Sequence, residues 1–406
     1  MRFYHKSYVL FICLIFLLSG QVFCQITNNG NTIVVQNNAT LFVNGDFNNL
    51  TGSIFNNGII GLTGNWSNND SNGAFDASST GKVNLTGANQ TIGGTQNTNF
   101  PDVYLAGSGI KKLLINTTIK GALDLTDREF ALESFTLNFT NTKPTGITLN
   151  GGIISTDFEG VLNRSTLSIL PYLYPLGSKS TGTLRYRPVY VNVKDSSFNT
   201  FGITFLNANP SRYGYSTSSK RYDVADVNPL YFHKIKQPTR ASSANFFFYY
   251  DQINDGDFNQ LVKWIKYNLW EKAGIANPQI DSTFKATNPE LNYKMTFSLI
   301  EKITDLPIAF AYINANNDPI TFFNTFTPDG DGINDKWEIK NIDLFPNNKL
   351  TIFNRWGSEV YKAKGYTNAD AWDGGNLNNG TYYYLLKVTI NGEDKVYKGF
   401  LTRLGK

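Results

Sequence analysis

Gly45-Asp46-Phe47-Asn48-Asn49 and Gly64-Asn65-Trp66-Ser67-Asn68-Asn69 are two copies of one pattern, nineteen residues apart. Each sets a glycine and a polar residue before one bulky ring and closes on asparagines. Leu62-Thr63-Gly64 is echoed by Leu85-Thr86-Gly87, and Gly121-Ala122-Leu123-Asp124-Leu125 reads as a further degenerate copy. The apolar runs between copies are short, as in Ile33-Val34-Val35, Leu41-Phe42-Val43, Ile59-Ile60-Gly61-Leu62 and Leu113-Leu114-Ile115. Runs of that length read as strands. Short strands at a period near twenty residues suit a β-solenoid, in which each coil buries its apolar face on the next. Asn and Gly then fill the corners, where positive φ is needed and side-chain amides can stack. The period is irregular, so a plain antiparallel sandwich is the alternative for residues 25–160.

Downstream, residues 161–316 lose the repeat and gain aromatics. Val189, Val191 and Val193 share one strand face, and Phe201, Ile203 and Phe205 alternate likewise. Phe246-Phe247-Phe248-Tyr249-Tyr250 is apolar on both faces and predicts a central strand. Leu261, Trp264, Ile265 and Leu269 have helical spacing, but the neighbours are strands, and paired strands are expected here. Tyr293, Met295 and Phe297 mark another. An antiparallel β-sandwich is the architecture these strands predict. Asn314-Ala315-Asn316-Asn317-Asp318-Pro319 reads as a linker.

The last block, residues 317–406, begins F-F-N-T-F-T-P-D-G-D-G-I-N-D-K-W at Phe322. Leu350, Ile352, Asn354 and Trp356 are expected on one strand face, Gly357 in a turn, and Val360-Tyr361 on the return strand of a hairpin. This places Trp356 in the core and Arg355 and Arg403 at the surface. Tyr382, Tyr384, Leu386 and Val388 share a face of a later strand. Val396, Lys398, Phe400 and Thr402 alternate in the last one, which predicts an ordered C-terminal end. Short strands separated by Asn, Gly and Asp turns predict an immunoglobulin-like sandwich. The whole chain is thus expected to be all-β.

The ordered motifs of this block resemble the gliding motility-associated C-terminal domain, the type B sorting domain of the type IX secretion system. The residues that match are Asn354, Arg355, Trp356 and Gly357, then Trp372, Asp373 and Gly374, then Gly399 and Arg403. The resemblance implies that the chain reaches the periplasm and is then carried through the outer membrane by the type IX machinery, which reads this domain. It implies a secreted or cell-surface location and leaves the role of residues 25–316 open.

At the other end, Arg2, His5 and Lys6 precede the ten apolar residues Val9–Leu18, and Val22-Phe23-Cys24 follows. This is the pattern of a secretory signal peptide over residues 1–24, too short to span a bilayer. Mature protein is expected to begin at Gln25; lipidation at Cys24 is the alternative, disfavoured by Phe23. Cys13 and Cys24 are the two cysteines of the chain. Their removal leaves no disulfide, no thiolate nucleophile and no cysteine metal ligand. Loss of Arg2 and Lys6 takes the formal charge from +4 to +2. A near-neutral chain of this length is not a nucleic-acid binder by electrostatics, and no later apolar run is long enough for a membrane helix.

Chemistry is sparse. His233 is the one histidine left after cleavage, and it lies in a strand-like run without a nucleophile motif. It is expected to face solvent or a polar neighbour. Asp223 and Asp226, or Asp251, Asp255 and Asp257, are the carboxylates a glycosidase would draw on, and turn or surface roles fit them better. One constellation stands out. Asp329-Gly330-Asp331-Gly332-Ile333-Asn334-Asp335 spaces oxygen ligands as a calcium loop does, with Asp329, Asp331, Asn334 and Asp335 as ligands, but lacks the later bidentate Glu. The alternative is a turn in which the Asp side chains accept backbone N–H bonds, with no cofactor. Together these readings predict a non-enzymatic adhesive or structural exported protein whose outside partner is a glycan or a surface. A polysaccharide-active enzyme or carbohydrate-binding protein is the alternative.

Overall fold

The computed structural model describes residues 25–405 apart from 240–241, 266, 275–277, 283–290, 292, 300–302, 314–318 and 391–392. The expected signal peptide, residues 1–24, and nearly all of the expected linker lie outside the described residues.

From Ile26 to Ser155 the chain winds as a β-solenoid. One wall stacks seven parallel strands, from Ile26–Asn29 through Phe47–Thr51 and Trp66–Asn68 to Ile153–Ser155. A second wall stacks six, from Thr40–Val43 to Ile147–Thr148. The two sequence copies are structurally equivalent, since Phe47 pairs with Trp66 and Leu62 with Leu85. Gly121–Leu125 is also a copy, but of Gly81–Leu85 two coils earlier, because Val83 pairs with Val103 and Val103 with Leu123. Coils differ in length: Phe47 to Trp66 spans 19 residues and Trp66 to Ile92 spans 26. The extra residues bulge at corners, which is why the period is irregular.

The solenoid interior is filled by side chains stacked in columns. Trp66 lies on Phe47 at 4.7 Å and on Phe75 at 5.3 Å, and its indole N–H donates to Thr98 at 2.9 Å. Three asparagines form a buried amide ladder. Asn28 donates to Asn49 at 2.9 Å, and Asn49 donates to Asn68 at 3.0 Å. Asn68 ends the run by donating to the carbonyls of Asp70 and Asn97. One coil carries a buried lysine in such a place. Lys111 donates to the carbonyls of Gly87, Ala88 and Ser108 at 2.7, 2.6 and 3.0 Å. Burial pulls its pKa down to about 8.

The third wall, Asn99–Phe100, Thr117–Ile119 and Thr136–Phe139, does not stop at the end of the solenoid. Val161–Thr166 pairs parallel with Thr136–Phe139 on one side and antiparallel with Asn199–Leu206 on the other. The sheet then runs on, antiparallel, through Phe232–Thr239, Leu306–Ile313, Gln260–Ile265 and Leu269–Ala273. Leu261 to Trp270 thus forms paired strands, with Trp264 opposite Trp270. A second antiparallel sheet covers it, with Ala244–Tyr250 central between Val189–Val193 and Tyr293–Leu299. Phe201 meets Phe246 across the two layers at 5.6 Å. The boundary at residues 160/161 falls at the first residue of the shared strand, and one hydrophobic core runs from Val35 to Phe310.

The C-terminal block has a separate core, from Ile320 to Leu401. Its sheet has five strands in the order Thr325–Phe326, Glu393–Arg403, Gly380–Ile390, Asn348–Phe353, Glu359–Lys364. The last strand is paired on both sides. A two-strand ladder, Thr321–Phe322 with Ile339–Lys340, contributes to the opposing layer.

The amide ladder gives a direct test. Asn49→Ala strands the Asn28 amide in the core and leaves the Asn68 side-chain oxygen only the Asp70 N–H, and should cost about 1–3 kcal/mol. Thermal melts of wild type and variant check it. An unchanged midpoint would mean that water replaces the ladder.

Candidate functional site

The hairpin tip is built by Asn354. Its side-chain oxygen accepts the backbone N–H of Trp356 at 2.9 Å and of Ser358 at 3.0 Å. Gly357, at φ +80°, closes the turn in a conformation costly for other residues. The strand therefore ends at Phe353, and the alternation that placed Trp356 beside Leu350 and Ile352 stops before it. Leu350 and Ile352 are buried, but Trp356 is 83% exposed. The core assignment of Trp356 is corrected: it stands on the tip beside exposed Arg355.

A cleft of about 260 Å³ separates this tip from the loop Leu377–Gly380. The Arg355 guanidinium lies over Gly380, 3.6 Å from where a side chain would start. Across that loop, Asn379 accepts from Arg403 at 2.9 Å and from the Gly405 N–H at 2.7 Å. Arg403 is half-buried and lies against Gly374, where a Cβ would sit 2.5 Å from its Nε. Exposed Asp373 accepts the Gly375 N–H at 2.9 Å beside it. Arg355, Trp356, Asp373 and Arg403 therefore gather at one end of the domain.

The remaining motif residues are structural. Trp372 is buried, with Phe326 at 5.4 Å, Tyr382 at 5.7 Å and Tyr361 at 5.8 Å. Gly399 leaves room for the Tyr384 ring, since a Cβ there would meet its oxygen at 2.6 Å. Sequence reading missed the tie that holds the layers. The buried Tyr366 hydroxyl donates to the Trp337 carbonyl at 2.5 Å and accepts the Trp372 N–H at 2.9 Å. No local pattern distinguishes that tyrosine from its many neighbours.

The Asp329–Asp335 loop wraps as its glycines suggest, with Gly330 at φ +82° and Gly332 at φ +84°. One Asp335 oxygen accepts the N–H groups of Asp329 and Gly330 at 3.0 and 2.7 Å, and the other accepts that of Gly332 at 2.8 Å. These bonds, led by that from Gly330, hold its carboxyl below the usual range. Carboxylate oxygens of Asp329, Asp331 and Asp335 lie within 4.8 Å of one another, which suits a hard cation. Asn334 contributes its backbone carbonyl to the loop itself, accepting the Thr327 N–H at 2.8 Å.

The carboxylates considered for catalysis have structural partners. Asp255 is buried under a bidentate bond from Arg187, at 2.5 and 2.6 Å, and accepts from Tyr231 at 2.7 Å. Asp251 caps the helix Gln252–Asp255, Asp257 accepts from Gln252 at 2.5 Å, Asp223 pairs with Lys272 at 3.1 Å, and Asp226 with Lys220 at 3.5 Å. His233 is not at the surface. It is 1% exposed among Phe205, Tyr231 and Phe248, with Nε2 3.3 Å from the Arg187 carbonyl. Burial pushes its pKa down to about 3, so it is neutral at physiological pH.

Residues 320–402 match the family model of the CHU_C type IX secretion signal domain. The C-terminal block is a type IX secretion signal. It directs export across the outer membrane to the cell surface or beyond. No curated protein and no solved structure matches the chain. Within the type IX secretion signal, the sequence motif divides into buried residues that build the domain and an exposed end that others can touch. Among the described residues no helix is long and apolar enough to cross a membrane.

Two outcomes follow. Trp372→Ala should cost about 3–5 kcal/mol, whereas Trp356→Ala should stay within about 0.5 kcal/mol; denaturant titration of both variants compares them directly. If the aspartate loop takes calcium, EDTA should lower the melting midpoint and millimolar calcium should restore it. A midpoint indifferent to calcium identifies the loop as a hydrogen-bonded turn only.

Proposed function

We propose that the protein is a non-enzymatic adhesive or structural element, exported through its type IX secretion signal and displayed outside the cell. The feature that best supports this is the core that runs from the solenoid into the sandwich. It joins the described residues of 26–313 into one body with stacked walls, beside which the signal domain has a core of its own that Tyr222 of the sandwich touches. Extended stacked surfaces suit contact with a polymer or another surface. The partner that reads the signal domain is the type IX machinery, and its point of contact is the end that presents Arg355, Trp356, Asp373 and Arg403. A glycan or surface is the partner outside.

One observation favours a second reading, a polysaccharide-active enzyme. A cleft of about 230 Å³ on the first solenoid wall is lined by Glu129, Glu133 and Asp157, with Phe158 at its mouth. Burial pushes the Asp157 carboxyl above its usual range. Ser155 donates to Glu129 at 2.7 Å and Ser178 to Asp157 at 2.8 Å. Reducing-sugar release from polysaccharides, abolished by Asp157→Asn, would establish that reading in place of the first.

Export has its own test. Residues 317–406, fused behind residues 1–24 and a fluorescent cargo, should bring fluorescence to the surface or medium of a host with the type IX system. Arg355→Ala with Trp356→Ala, both exposed, should trap the cargo in the periplasm while the domain stays folded. Export unchanged by that double variant would move the recognised surface elsewhere on the domain.

A further inference from the structure

The outward face of the signal domain's sheet carries an arrangement that its fold does not need. Cross-strand pairing sets Lys364 opposite Lys349, and Lys349 opposite Lys387, so three lysines form one row over three neighbouring strands. Like charges directly opposite one another destabilise a sheet. Lys362 and Lys398 stand in the next row, on either side of Thr351 and Leu385. Among the described residues, no carboxylate lies within ion-pair distance of Lys349, Lys364, Lys387 or Lys398; Lys362 alone is paired, with Glu359 at 2.9 Å. The nearby Asp394 is engaged by the Thr389 hydroxyl at 2.8 Å. The three lysines line an open cleft of about 540 Å³.

A row of rings crosses the same face. Phe353 pairs with Tyr383 and Tyr383 with Phe400, and the last two are 50% and 51% exposed. Adjacent rings are spaced by the strand separation of about 4.8 Å, and Phe353 lies about 13 Å along its strand from Lys349. The face therefore pairs a cluster of lysines, in excess over the one acidic residue, Asp394, that lines their cleft, with a flat aromatic strip.

We propose that this face binds an acidic polysaccharide. Carboxylates or sulfates of the polymer would pair with Lys349, Lys364 and Lys387, offsetting a repulsion the domain does not relieve itself. The apolar faces of its sugar rings would lie on Phe353, Tyr383 and Phe400. Charge complementarity selects a polyanion, and the ring strip selects one built of sugars over an acidic peptide. The site lies on the sheet face, apart from the end that carries Arg355 and Trp356. It depends on neither the adhesive role of the solenoid nor recognition by the secretion machinery.

The test is binding by the purified full chain, so a failure of export leaves it intact. Polygalacturonate, neutral dextran and single-stranded DNA are the probes, measured by calorimetry or retardation in a gel. Polygalacturonate should bind with an affinity that falls as salt rises. Lys349→Gln, Lys364→Gln and Lys387→Gln together should weaken it by about tenfold or more. That triple variant should melt no lower than wild type, since it removes like-charge pairs, so lost binding is not lost folding. Tyr383→Ala with Phe400→Ala should weaken polygalacturonate while leaving the salt dependence in place. The proposal is overturned if polygalacturonate does not bind, if the lysine variant binds as wild type, or if dextran binds equally well. DNA binding of equal strength that ignores the aromatic variant overturns it too, reducing the face to a general polyanion surface.

Discussion

The guanidinium of Arg164 is fully buried, and its partners are backbone carbonyls. It donates to Lys143 and Pro144, which follow the last strands of the solenoid's third wall, and to Leu173 in the first strand of the sandwich's second sheet. Its plane lies over the rings of Phe139 and Tyr172. Burial lowers its pKa to about 10, yet it remains charged near neutrality. Placing such a charge in a core costs several kcal/mol unless hydrogen bonds offset it; here elements from both halves must be in place to bond its two terminal nitrogens, while the buried Nε has no hydrogen-bond partner among the described residues. The strand that carries it, Val161–Thr166, is the one whose two edges belong to different architectures. Around it, Thr156 exchanges hydrogen bonds with Phe205, and Thr204 donates to Gly160. Solenoid and sandwich are joined through hydrogen bonds and packing at this seam.

Much of the fold was legible because the signals that set it are local. Alternation marked Val189–Val193 and Phe246–Tyr250, and glycines with asparagines marked the corners of the coils. The equivalence of Phe47 and Trp66 was written in their flanking residues. The shared strand was not legible: nothing within Val161–Thr166 says that one edge will pair parallel and the other antiparallel, because that is decided by partners far along the chain. Trp356 shows the opposite failure. Its alternation was real as spacing, but the Asn354 side chain ended the strand first, and a side-chain acceptor in a turn outweighs a two-residue period. His233 is expected to face solvent or a polar neighbour; it meets the second, the Arg187 carbonyl, but its aromatic surroundings come from two other strands, with Phe205 and Phe248, and from Tyr231 just ahead of its own.

The candidate site was half legible for a related reason. A motif says which residues recur together, and does not separate those that hold a domain up from those that face outward. Trp372, Gly374 and Gly399 belong to packing, with the glycines making room for Arg403 and Tyr384. Arg355, Trp356 and Asp373 are presented to solvent. Burial sorts the two groups, and burial is a property of the fold.

The solenoid's coil-to-coil pairing also has a mechanical side. Its backbone ladders run along the long axis of the coils, and each coil is bonded only to its neighbours. Tension along that axis loads one ladder at a time, so the coils should give way by peeling, from the outermost coil at Ile26 inward, each step releasing about one coil's length of chain. Peeling ends at the seam, where the buried Arg164 and the two-sided strand must be broken together. Under load the molecule would thus behave as an extensible tether fixed to a stiffer block, and it would dissipate work by lengthening before it let go.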